Sequence, residues 1–177
     1  MGEIWYNQGM KKANFDADSF HQTDAPHYQA PNDAAASGQH FKAAEGMATV
    51  VYEPAHYNPA AGAKSGAGRS TSTWVYGEEA AKPEGRLQSR LEFLIDSELE
   101  PGASIGLHAH ERTEEIYYLL AGSLTVDLLL ADGRTVSHEM RPGDAHLIQP
   151  GQRHYAAAGP DGARFIAVAA SVAPSKR

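Results

Sequence analysis

The chain has 177 residues, 42% of them hydrophobic and 21% charged, which suffices for one domain with a core of ordinary size. Its formal net charge of −7 is spread along the chain without a basic block, which argues against nucleic acid and against an anionic membrane surface as partners. There is no cysteine, so disulfides, thiolate metal sites and cysteine nucleophiles are excluded.

The first residues, Met1 to Asn7, lack the basic-then-apolar order of a secretory leader, and no apolar run approaches membrane-spanning length. A cytoplasmic location is the expectation. Residues 1–46 follow neither the helical nor the strand period, yet they carry aromatics such as Trp5, Phe15 and Tyr28, which argues that part of the segment packs. Met47–Tyr52 reads as a strand, Pro59–Arg69 as a flexible Gly/Ala-rich loop, and Ser70–Tyr76 as a second strand. Glu78–Ala81 has room for one helical turn, and the chain divides at Pro83-Glu84-Gly85. The expected organisation is an irregular amino-terminal extension, 1–85, with one or two added strands, followed by an all-β domain, 86–177.

Beyond the division, strands are expected at Leu87–Ile95, Ala103–His110, Glu115–Leu120, Leu124–Leu130, Thr135–Met140, Ala145–Ile148, His154–Ala158 and Ala163–Ser171. Gly- and Pro-containing turns separate them, among them Ala121-Gly122, Asp132-Gly133, Pro150-Gly151 and Pro160-Asp161-Gly162. Many short strands at regular spacing imply a sandwich or barrel. The two strands of the extension are expected to add to a sheet, on the same subunit or across a homodimer that covers sheet edges.

One constellation carries chemistry. His108 and His110 are two residues apart, so on a strand both point to one face. A polar reversal at Glu111-Arg112-Thr113 lays Glu115 opposite them, and His154 opens a later strand after Gln149-Pro150-Gly151. Glu114 is the competitor of Glu115, but the two point to opposite faces. Three imidazoles and a carboxylate suit a divalent transition metal: zinc, copper, iron, nickel or manganese.

The spacing of these residues resembles the two motifs of the cupin superfamily. Gly102, His108, His110, Glu115 and Gly122 meet the first motif, and Gly143, Gly151 and His154 the second. Gln149 stands where the second motif has proline and Ala158 where it has asparagine. The resemblance spans about residues 86–172 and implies a double-stranded β-helix, or jelly-roll barrel. It implies that His108, His110, Glu115 and His154 bind one metal ion per subunit, with iron favoured. The motifs occur once, so a single-domain cupin is expected.

Further residues are candidates on weaker grounds. Tyr117 shares the face of Glu115; it is read as a core aromatic or as a hydrogen-bond donor to substrate or a bound water, catalytic together with Glu115. Arg90 alternates with apolar neighbours together with Glu92, which most simply puts both in solvent; otherwise Arg90 anchors a substrate carboxylate. His146 is equally a surface residue or one that orients substrate or shuttles a proton. The Gln149 amide is a candidate substrate contact. The expected function is a metal-dependent oxidoreductase of dioxygenase type, acting on a small organic molecule that chelates the metal. The alternatives are a non-redox isomerase, cyclase or lyase, and a small-molecule binding module.

Overall fold

A computed structural model describes residues 44, 47–53, 59–77 and 89–172. Among them lie eight strands: β1 (Ala48–Tyr52), β2 (Ser70–Gly77), β3 (Leu91–Leu99), β4 (Ser104–Ala109), β5 (Thr113–Leu129), β6 (Thr135–Met140), β7 (Ala145–Ile148) and β8 (Arg153–Ser171). All pairings are antiparallel. The all-β jelly-roll expectation holds. Residues 1–43, the turn at Glu78–Ala81, the division at Pro83–Gly85 and the expected strand start at Leu87 lie outside the described residues.

Two expected turns are bends instead. β5 and β8 are single strands of 17 and 19 residues, where separate shorter strands were expected on either side of Ala121-Gly122 and of Pro160-Asp161-Gly162. The amino-terminal half of β5 pairs with the carboxy-terminal half of β8, and the remaining halves pair with each other. Between them the register shifts twice, around Ala121 and Gly122. Gly122 has φ +75°, and a Cβ there would lie 2.0 Å from the carbonyl oxygen of Gly162. The two backbones therefore cross at van der Waals contact where only glycine fits, and the strand turns a corner without reversing.

The corner creates two layers. One holds β1, β2, β3 and β7 with the halves Thr113–Leu119 and Ala163–Ser171; the other holds β4 and β6 with the halves Leu124–Leu129 and Arg153–Ala158. Their facing side chains form the core. Phe93, Leu119, Ile148 and Phe165 come from the first layer and Leu124, Val126 and Ala156 from the second, all nearly fully buried. Trp74 meets Phe93 edge-on at 5.9 Å, and Tyr117 meets Phe165 at 4.9 Å between ring centroids.

β1 and β2 extend the first layer within the same subunit, in the order β1-β2-β3-β8. β3 runs on to Leu99, past the expected end at Ile95, because its polar residues find partners. Ser97 shares a buried hydrogen bond with Ser72 at 3.0 Å, and Asp96 takes a two-pronged ion pair from Arg164 on the other face. The loop expected to be flexible is held. Pro59–Lys64 forms 3-10 turns, Lys64 pairs with Asp127 above the Tyr155 ring, and Ala67 bridges to Ser104.

Candidate metal centre

β4 is buried along its whole length, and His108 is its register partner to His154 on β8. His108 Nδ1 lies 2.7 Å from the carbonyl oxygen of Gly106. That contact requires Nδ1 to carry the proton, which leaves the lone pair on Nε2. His154 is oriented more loosely, its Nδ1 lying 3.4 Å from the Gln152 carbonyl. His110 follows the end of β4, and its carbonyl accepts a 2.7 Å bond from the amide of Gly151. The turn before His154 is thereby tied to the residue that follows β4, which draws both histidine segments together.

Glu115 enters from the opposite layer, on β5. Its Oε2 lies 3.0 Å from His110 Nε2 and 3.3 Å from His154 Nε2. The ring centroids of His108 and His154 are 4.0 Å apart, and His110 lies 5.1 Å from each. One ligand atom from each of the four residues fits within 4.8 Å of the others, and all four residues are buried. The neighbouring Glu114 is exposed, as strand alternation requires.

The protonation states suit ligation. Burial opposes ionisation of Glu115 but is outweighed by the charge and hydrogen bond of His110, then of His154, so the carboxyl is held well below its usual range. Burial pushes the His154 imidazole down, against the pull of Glu115. Burial, then the Glu115 charge and a hydrogen bond to it, push the Tyr117 phenol well above its usual value. His154 Nε2 is fully buried, and its contact with Glu115, at 3.3 Å, is a weak and poorly aligned one. A buried ring nitrogen so weakly satisfied gains from ligation. The residues present therefore fit a transition ion.

The remaining candidates scatter. Tyr117 faces the interior, 6.2 Å from the His154 ring. His146 is buried on β7 in register opposite Tyr117. Arg90 is exposed just before β3, its carbonyl accepting from Ser171. Gln149 is exposed in the turn, and its backbone N–H donates to the Gln152 side-chain oxygen. Two residues were misread or missed. Glu92, expected in solvent, is buried and accepts a 2.9 Å bond from Thr113, because the register slips between Leu91 and Phe93 and breaks the alternation. His138 carried no motif signal, yet it meets His146 at 3.0 Å from a strand of the other layer.

Residues 96–169 match the family model described as a cupin domain. No curated protein matches the chain. Among solved structures it resembles a predicted oxalate decarboxylase from Thermotoga maritima, with 22% identity over 71% of this chain and 94% of that one, at a TM-score of 0.54. It also resembles the oxalate decarboxylase of Bacillus subtilis, with 24% identity, 58% of this chain, 25% of that one and a TM-score of 0.50. The chain thus spans about a quarter of the Bacillus protein, for which a further structure concerns Mn(II) centres. At these identities the likeness shows the shared fold.

Proposed function

We propose that this chain, a cupin by its family match and its fold, is a metal-dependent enzyme acting on a small organic molecule that chelates the ion, with oxidation of dioxygenase type as the leading reading. One observation carries the proposal: three imidazoles and one ionised carboxylate, all buried, converge from both layers on a single point. His108, His110, Glu115 and His154 hold the ion, with iron favoured over manganese, nickel, zinc or copper. Such an ion supplies a Lewis acid and, if redox-active, an electron conduit, with positions left open beyond four protein ligands.

The chain's own residues supply the rest. Tyr117, kept protonated, donates to Glu115 and orients its carboxylate. The apolar interior around Ile148, Val126 and Phe165 keeps bulk water from the reacting atoms. His146 is a substrate contact, whereas Arg90 and Gln149 reach a substrate only from the rim, since both are exposed. A second reading, redox-neutral decarboxylation or isomerisation of an organic acid, needs the same buried cluster acting only as a Lewis-acid site. The named activity of the structural neighbours points the same way.

The test is a screen of oxalate and other small acids and enols on protein loaded in turn with iron or manganese, in air and under argon. Oxygen uptake matched to product supports the first reading. Equal turnover without oxygen supports the second. Tight binding without turnover leaves a binding module and defeats both. The proposal includes a homodimer: Ile116, Tyr118 and Leu120 on β5 and Leu147 on β7 expose a row of apolar side chains. Light scattering of the eluted protein checks it.

A further inference from the structure

A second pair of imidazoles, buried His146 and exposed His138, takes no part in the candidate metal centre. His146 lies on β7, the edge of the first layer, and His138 on β6, the edge of the second. His138 is in register with buried Val126 and His146 with buried Tyr117; His146 points inward, while His138 lies exposed at the sheet edge beside it. Their rings meet at 5.1 Å between centroids, with His138 Nδ1 3.0 Å from His146 Nε2. That contact uses one nitrogen of His146. The other, Nδ1, is fully buried and finds no well-aligned partner, the Leu147 backbone offering the ring only a weak one.

Such an atom is costly in a protein interior and signals a missing partner. Burial first, then the neighbouring His138 and His154 rings, depress the basicity of His146. It is therefore a neutral ring with one N–H. His138 is exposed and free to reorient its proton, so it can donate to His146 Nε2 and place the remaining N–H on Nδ1. Tyr117, opposite His146, stands two residues beyond Glu115 on the same face of β5, a separation of about 7 Å. His146 thus lies one strand across and two residues along from Glu115, on the side of the candidate cluster.

We propose that His146, backed by His138, binds the far end of the molecule whose near end reaches the metal: a small organic acid of about three to five carbons, carrying at that far end an oxygen that accepts a hydrogen bond from His146 Nδ1. The proposal rests on the metal-dependent reading above. A simple latch between the two layers is the competing role for the pair, and it predicts a loss of stability with no change in ligand preference.

Malonate, succinate and glutarate serve as probes against acetate, on manganese-loaded protein followed by calorimetry. At least one of the three is expected to bind ten-fold or more tighter than acetate. His146→Phe is expected to abolish that preference while metal content and acetate affinity stay unchanged, and His138→Ala to reduce it in part. In the unsubstituted protein, the 15N resonance of His146 Nδ1 should shift on adding the preferred dicarboxylate. The proposal is overturned if no dicarboxylate is preferred over acetate, if His146→Phe keeps the preference, or if the resonance does not move. Should the protein take up no metal at all, the functional reading fails. The resonance titration then still decides the fate of the subsite by itself.

Discussion

Replacing Glu115 by glutamine retains the shape of a buried side chain and removes its charge from the meeting point of His110 and His154. Glutamine binds transition ions poorly, and losing a supporting group alone typically weakens a site 10- to 100-fold, so a loss of about 100-fold is a lower expectation. The consequence is measurable as stability. An ion at 100 times its dissociation constant stabilises the folded chain by about 2.7 kcal/mol, and after a 100-fold loss the same ion concentration contributes only about 0.4 kcal/mol. For a chain of this size about 1 kcal/mol moves Tm by roughly 2–4 °C. Manganese or iron should therefore raise the Tm of the native protein by about 5–11 °C and that of Glu115→Gln by about 1–2 °C. Differential scanning fluorimetry on chelator-stripped protein, with and without added ion, reads both values. An equal shift in the two proteins would show that Glu115 is no ligand, and the case for the centre would collapse with it.

Metal-free protein should lose stability in acid. The folded-state values of His154 and His146 lie below that of a free imidazole, so the unfolded chain takes up protons first as pH falls below about 6.5. Glu115, also depressed, adds a further loss below about pH 4.5, as pH falls towards its folded value. A Tm of the stripped protein that stays level or rises from pH 7 to pH 5 contradicts this. Gly122→Ala should cost about 3 kcal/mol or more, from a left-handed backbone and a Cβ driven into the Gly162 carbonyl; urea unfolding showing under 0.5 kcal/mol refutes the close crossing. Phe165→Ala should cost about 3–5 kcal/mol by opening a cavity between the layers, again read in urea. Lys64→Met should leave global stability within about 1 kcal/mol, because the ion pair with Asp127 is partly solvated, yet speed proteolysis within 59–69. Unchanged cleavage there would mean that Ala67 and Ser104 alone hold the segment.

The site was legible because its signals are local and chemical. His108 and His110 share a face by the two-residue period, Glu115 is separated from Glu114 by the same rule, and the glycines around them mark where the chain changes direction. The rest escaped for identifiable reasons. Gly122 and Gly162 signal a departure from straight strand, but a reversal and a corner have the same composition, and only the partner backbone tells them apart. Ser97 and Asp96 look like the end of a strand until Ser72 and Arg164 satisfy them. Glu92 turned inward because one residue of register slip flips the alternation, and that slip depends on Ala169 and Ala170 of β8, almost eighty residues further along the chain. His138 lacked any mark, since its partner belongs to the other layer.

The nesting of β5 with β8 has a consequence for how the protein matures. Their register closes a set of loops one inside another, from Leu129 with Arg153 to Thr113 with Ser171. Pairings so distant in sequence form late, because the chain must surrender loop entropy before any contact rewards it. His154 meets His108 across the β4–β8 pairing, and Glu115 only once the two layers close on each other. Until those pairings form, local sequence alone brings close only His108, His110 and Glu115. The four-residue cluster is therefore assembled by the closed barrel and not by any local stretch of chain.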